Sequence, residues 1–216
     1  PAQRIRDAFA KGYVAADAAP DSDQVQPASL DLRLGPKAYR LPASFLPGPG
    51  RTVAQRVSEL ATHEVDLSRP TVLERNCVHI VPLMERLRLP AGVDARANPK
   101  SSSGRLDIFV RIIADGAATF DEIPAGYDGP LYAEVVPRSF PVIARAGSRL
   151  AQIRFREDLP AAPAARQVAV TIDLDPAGKE GVSSFLTGMM DEGAGDMLSA
   201  DFQKKRDELA FRMSFD

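Results

Sequence analysis

Leu30, Leu32 and Leu34 alternate with Asp31 and Arg33, and Gly35-Pro36 follows at once. A period of two with one apolar face predicts a half-buried strand that stops at the glycine. Short apolar runs continue through the middle of the chain. Residues 71–82 predict a pair of strands folded around Glu74-Arg75-Asn76, and residues 84–89, closed by Pro90-Ala91-Gly92, predict another strand. Runs at 108–113, 131–136, 140–144 and 151–155 follow at short spacing between Gly/Pro turns. That rhythm predicts an antiparallel barrel or sandwich and not a parallel βαβ sheet. Helical periodicity is scarcer. Residues 3–14 place Ile5, Phe9 and Ala10 on one side with charges opposite, and residues 53–60 are weakly helical. After Pro160 the composition turns linker-like. Residues 167–174 predict one more strand, 178–195 a loop, and 199–213 a helix with Ser199 as cap and Phe202, Leu209 and Met213 along one side. We therefore expect a mainly β domain over residues 1–177 with a short N-terminal helix, and a loop plus amphipathic helical tail over 178–216.

Composition narrows the class. With 216 residues and 44% hydrophobic content, the chain can bury one generous core. A net charge of −2, from 27 basic and 29 acidic residues, argues against a duplex-DNA binder or a polybasic membrane binder. The single cysteine, Cys77, excludes an intrachain disulfide framework and agrees with a reducing cytoplasm. No apolar run approaches the roughly 18 residues that span a bilayer, and the first residues lack the apolar core of a signal peptide. We expect a cytoplasmic protein with neither nucleic acid nor membrane as partner.

Two stretches carry candidate chemistry. Asn98-Pro-Lys-Ser-Ser-Ser-Gly-Arg-Leu-Asp107 packs three hydroxyls and a glycine between two cations. Hydroxyls and backbone N–H groups in a tight turn, flanked by Lys100 and Arg105, suit a phosphate chain. The competing reading is a solvated serine-rich turn, with Arg105 paired to Asp107 or Glu122. Glu134 is the only acid in the apolar run 131–136. It suits a proton shuttle, or it faces outward with Tyr132, since Leu131, Ala133 and Val135 share the other face. His63 and His79 are the only histidines, and His79, in an apolar run, is expected to be a satisfied structural residue. One cysteine and two scattered histidines cannot supply the H-x-E and P-C-x-x-C segments of a zinc deaminase. Neither GxGxxG nor GxxxxGK(S/T) occurs, so the common nucleotide-binding loops lack support.

Gln26-Pro-Ala-Ser-Leu-Asp-Leu-Arg-Leu-Gly35, Lys100-Ser-Ser-Ser-Gly-Arg105, Ala125-Gly-Tyr-Asp-Gly-Pro-Leu-Tyr-Ala-Glu134 and Gly147-Ser-Arg-Leu-Ala-Gln-Ile-Arg154 occur in that order. Together they resemble the bacterial dCTP deaminases, members of the dUTPase-like superfamily of trimeric β-barrels. The resemblance runs from about residue 5 to residue 155. It is nearest to the long form of that enzyme, which carries two barrel-like halves. It implies a distorted antiparallel β-barrel, a homotrimer, and zinc-independent hydrolysis of dCTP to dUTP and ammonia. It implies Glu134 as the catalytic glutamate and Ser101 as a second catalytic residue, with Ser101 and Arg105 at phosphate- and water-contacting positions. Lys100 stands where many short members have Arg, an exchange that keeps the charge and loses the bidentate fork. Ser102, Phe120, Tyr127 and Gln152 complete the expected substrate-binding set. No protein-bound metal is expected, and Mg²⁺ would arrive on the triphosphate through hard oxygen ligands. In the dUTPase branch, an Asp just after the turn's Ile activates water toward the α-phosphate. Here Pro124 follows Ile123, and Asp121 and Glu122 are out of register. The alternatives are a dUTP diphosphatase and a non-catalytic, nucleotide-binding or structural barrel.

Overall fold

The structure, a computed structural model, describes residues 2–16, 18–157, 193–194 and 197–198. Helix α1, Ala2–Ala10, turns Ile5 and Ala8 into the main core, with Phe9 packed against it; it stops four residues short of the expected end, leaves Ala10 exposed and gives way to a turn and a strand that takes Val14. Strands Val14–Ala16 (β1), Leu30–Arg33 (β2) and Lys37–Leu41 (β3) follow, then helix Val53–Leu60 (α2). Next come His63–Asp66 (β4), Thr71–Leu73 (β5), Val78–Arg88 (β6), Val93–Pro99 (β7) and the short helix Ser101–Arg105 (α3). Ile108–Ala114 (β8), Glu122–Ile123 (β9), Asp128–Pro137 (β10), Val142–Ala144 (β11) and Arg149–Glu157 (β12) complete the first unit.

One sheet runs β4-β3-β6-β10-β8, with β1 also on β6; a second runs β2-β12-β7-β9; β5 pairs with β11. Every pairing among the described residues is antiparallel, as the short Gly/Pro-turned runs predict. Gly35 links the two larger sheets: its N–H donates to the Pro82 carbonyl at 2.8 Å. A Cβ at position 35 would lie 2.6 Å from that carbonyl oxygen, so only glycine permits the approach. The chain divides into two units, Pro1–Ala162 and Pro163–Asp216. In the second, Gly193–Ala194 (β13) pairs with Met197–Leu198 (β14). The strand expected at 167–174, the helix at 199–213 and the boundary at 177/178 lie outside the described residues. Among those described, no helix is long and apolar enough to cross a membrane.

Three local expectations are corrected. Strand β2 is not half-buried: Leu30, Asp31, Leu32 and Arg33 are all buried. Its polar face is covered because its charges find partners. Arg33 donates through Nε to Glu85 Oε1 at 2.7 Å and through its guanidinium to the carbonyls of Ala19 and Ala18, while Gln24 donates to the same Glu85 oxygen at 2.7 Å. A buried ion pair is tolerated when hydrogen bonds satisfy both ends. Residues 71–82 are not a strand pair: β5 pairs with β11, and the segment after Asn76 pairs elsewhere. Residues 84–89 are not a separate strand either, because β6 continues through Pro82. The β6–β10 ladder is irregular between Pro130 and Tyr132, next to the Tyr132–Pro82 pair, the kind of position at which a strand tolerates proline.

Strand β10 is buried on both faces. Leu131, Ala133 and Val135 join the main core, while Tyr132 joins a second cluster with Leu41, Phe45, Val53, Val57, Ile80 and Ile113. Helix α2 supplies Val53 and Val57 to that second cluster. Its start is set by a reciprocal capping box between Thr52 and Gln55, with Asp115 accepting the Val53 N–H at 2.7 Å. The face of β10 that a single sheet would leave to solvent is covered in this way, and Glu134 sits on it.

Candidate active site

Glu134 lies on β10 of the six-stranded sheet, between β6 and the edge strand β8, with 0% of its surface exposed. The β10–β8 register sets Arg111 directly opposite. Arg111 donates to Glu134 Oε1 from Nη2 at 2.6 Å and from Nε at 3.1 Å. Ser44 Oγ donates to Oε2 at 2.6 Å and accepts from Arg111 Nη2 at 2.8 Å. Glu134, Arg111 and Ser44 thus close a ring in which both carboxylate oxygens have donors. The Arg111 guanidinium lies 3.6 Å from the Phe120 ring centroid and 4.7 Å from that of Phe109, within cation–π range. Beside this group, burial pushes the Asp121 carboxyl upward, although Asp121 accepts the Ile112 N–H at 2.7 Å. Glu134 is therefore a buried, oriented carboxylate and not an outward-facing strand residue.

The serine-rich stretch forms α3 at the crossing from β7 to β8. Its three hydroxyls are unequal. Ser103 is buried and donates to the Leu150 carbonyl at 2.8 Å, so it clamps the turn to β12. Ser101 and Ser102 are exposed. Arg105 is exposed and forms no ion pair with Asp107 or Glu122; Glu122 pairs with Arg96 and Asp107 accepts from Ser139. Lys100 pairs with the buried Asp31, whose Oδ2 also lies 4.0 Å from Arg149, while Asp31 Oδ1 has no partner among the described residues. Arg149 makes a two-bond contact with Asp23 at 2.9 and 2.8 Å; that contact lowers the Asp23 pKa and raises that of Arg149. A cavity of about 750 Å³ opens here, lined by Asp21, Ser68, Lys100, Ser102 and residues 145–149. Its lining holds three cations, Lys100, Arg145 and Arg149, against one acid. Such a lining suits an anion.

Gln152, on β12 opposite Asp31, accepts from Ser29 Oγ at 2.7 Å. Phe120 packs against the second cluster and Arg111. The Tyr127 hydroxyl donates to the Pro130 carbonyl at 2.6 Å and accepts the Asp115 N–H at 3.0 Å, and burial pushes its pKa up to about 12. Both hydroxyl functions of Tyr127 are spent on backbone groups. Two groups thus emerge: Glu134 with Phe120 on one sheet, and the 100–105 turn with Gln152 on the other. No hydrogen bond or ion pair among the described residues joins them. His79 is buried as expected but not fully satisfied, because its Nδ1 has no partner among the described residues. The same residues contain no cluster of three or more His, Cys, Asp or Glu.

Arg111, Ser44 and Asp31 were not singled out from the sequence. Arg111 carries a readable signal, a lone cation in an apolar strand whose neighbour holds a lone acid. Ser44 carries none, since a serine in a proline-rich loop has no pattern that aims it at a strand 90 residues later.

The geometry is that of a mainly β, antiparallel fold with a buried strand carboxylate and a basic, hydroxyl-rich turn. A model of the 2′-deoxycytidine 5′-triphosphate deaminase N-terminal domain matches residues 1–159, and the chain belongs to that family. A dCTP deaminase from Halorubrum lacusprofundi is 30% identical over 156 residues, covering 71% of this chain and 74% of the relative. A "dCTP deaminase, dUMP-forming" from Methanosphaera stadtmanae is 26% identical over 148 residues, covering 67% of this chain and 72% of the relative. The crystal structure of 2′-deoxycytidine 5′-triphosphate deaminase from Agrobacterium tumefaciens is similar with a TM-score of 0.71 at 60% identity. That match covers 73% of this chain but 47% of the Agrobacterium chain, so the present chain corresponds to about half of that protein.

Proposed function

We propose that this protein hydrolyses dCTP to dUTP and ammonia. Water adds to C4 of the cytosine while Glu134 takes one of its protons and passes it to N3. Glu134 then takes the proton of the new C4 hydroxyl and gives it to the amino group as the C4–N4 bond breaks. N3 keeps the first proton, as uracil requires, and ammonia departs. A carboxylate that alternates as base and acid is enough for this sequence, and it needs no zinc. The observation that carries the proposal is Glu134 itself: a buried carboxylate with both oxygens held in a chain of the dCTP deaminase family.

Ser101, Ser102 and Arg105 are the candidates for the triphosphate, with Lys100 adding charge from its ion pair with Asp31. Mg²⁺ enters as part of the substrate, on the phosphate oxygens. Phe120 offers an apolar wall beside the carboxylate, Gln152 a polar contact near the turn, and Tyr127 shapes the loop behind. The two groups lie on different sheets of one chain. A homotrimer, in which one copy's turn meets another copy's Glu134, unites them. We assign the activity to the cytoplasm, with no nucleic-acid or membrane partner.

A dUMP-forming deaminase is the second reading, favoured by the Methanosphaera relative; Pro124, standing where a dUTPase has its acid, opposes it. Incubation with dCTP and Mg²⁺, resolved by chromatography, tests the assignment. The expected products are dUTP and ammonia. Release of dUMP and pyrophosphate selects the second reading, and absence of turnover overturns both. Light scattering should give three times the chain mass at micromolar concentration; one chain mass throughout refutes the trimer.

A further inference from the structure

We propose that Arg111 is the positioning residue for Glu134, holding the carboxylate fixed in orientation for its proton transfers; this rests on the deaminase reading above. Three observations converge on the guanidinium. First, the pairing is written into the sheet, because Arg111 and Glu134 are directly opposed residues of β8 and β10. A slip of one residue would turn Arg111 to the other face, so the contact depends on the ladder and not on a flexible reach. Second, two donors of one guanidinium converge on Glu134 Oε1, and Nη2 also donates to the hydroxyl that holds Oε2. Arg111 therefore orients one oxygen directly and the other through Ser44. Third, Phe120 and Phe109 both lie within cation–π range of the guanidinium and limit its rotation.

The exposures explain why this matters for chemistry. The Glu134 side chain is 1% exposed and that of Arg111 is 26%. The buried carboxylate is thus held by a cation that itself keeps one edge in solvent. Lysine would keep the charge and lose both the two-donor geometry and the flat stacking surface.

The test assays the full-length protein for dCTP turnover with Arg111→Ala, Arg111→Lys and Glu134→Gln, after circular dichroism has established folding. Arg111→Ala is expected to lower kcat by about 10²-fold, the scale of a mispositioned catalytic group, with little change in KM. Added guanidinium ion at low millimolar concentration should restore part of that loss, and none of the loss in Glu134→Gln. Arg111→Lys should fall between wild type and Ala. Wild-type kcat in Arg111→Ala overturns the proposal, and so does a loss relieved by neither lysine nor guanidinium, which marks a merely structural residue. If Arg111→Ala does not fold, Arg111→Lys decides: reduced kcat at unchanged KM supports the role, and wild-type kcat refutes it. Inactive Glu134→Gln beside fully active Arg111→Ala removes the positioning role alone. Fully active Glu134→Gln, or a wild type without deaminase activity, removes the deaminase mechanism and this role together.

Discussion

Glu134→Gln separates chemistry from binding more sharply than any other substitution here. The carboxylate accepts three hydrogen bonds, two from Arg111 and one from Ser44. Glutamine has nearly the same volume and one carbonyl oxygen, which can keep Arg111. Its NH₂ then faces Ser44 Oγ, which already accepts from Arg111 Nη2 and must turn its own proton away. The ion pair with Arg111 is lost and the Ser44 contact is reversed, but no cavity opens, so stability should fall by about 1–3 kcal/mol. At about 2–4 °C per kcal/mol for a chain of this size, Tm should drop by several degrees. The kinetic effect is larger in kind. An amide cannot take a proton from water or return one to N3, so kcat should fall about 10²-fold or more, or roughly 2.7 kcal/mol in the barrier. KM should stay within a few-fold of wild type, because the phosphate contacts are elsewhere. Steady-state dUTP formation by chromatography, with a melting curve as control, measures both effects. A folded Gln variant that turns over dCTP within a factor of a few of wild type refutes the proton-shuttle assignment.

Arg105→Ala should raise KM for dCTP by about 30-fold, the equivalent of roughly 2 kcal/mol for one charge-assisted bond; unchanged dCTP kinetics would remove the anion role of the 100–105 turn. Gly35→Ala should destabilise the barrel by about 1–3 kcal/mol, because the new Cβ meets a backbone carbonyl that cannot swing aside; a melting temperature equal to wild type would contradict that contact. His79 gives a pH signature. Burial depresses its pKa below the ordinary 6.5, so the folded chain keeps it neutral while the unfolded chain protonates it. Its contribution is present above pH 6.5 and lost as pH falls through the folded value. The Tm of His79→Phe should therefore gain on wild type as pH drops from 7.5 to 5.5, and a pH-independent difference between the two would exclude His79 as the cause.

How much of this was legible depends on how local each cause is. The weak helical periodicity of residues 53–60 is realised as α2, Val53–Leu60, because the Thr52/Gln55 capping box is local to its start. Strands 108–113 and 131–136 were legible as apolar runs between turn residues. The site motifs were legible as chemistry: three hydroxyls between two cations, and one acid in an apolar strand. Which of those hydroxyls is available was not, because Ser103 is consumed by Leu150, 47 residues away. Lys100 read as a cation for phosphate, yet its immediate partner is Asp31, brought beside it when β2 and β7 both pair with β12.

The amino-acid sequence by itself determined the class of the fold, the position of several strands along the chain, the Ser/Lys/Arg turn and the lone glutamate of β10. Those follow from periodicity, turn chemistry and residue type, which act over a few neighbouring residues. The tertiary structure alone decided that β2 and β10 are buried on both faces and that β6 runs unbroken through Pro82. It also decided that Glu134 is held by Arg111 and Ser44. Each of these depends on which strand lies beside which and on what covers the outer face. Burial and partner choice are properties of the assembled layers, and a polar residue's environment is set by groups that the chain brings to it from far along its length.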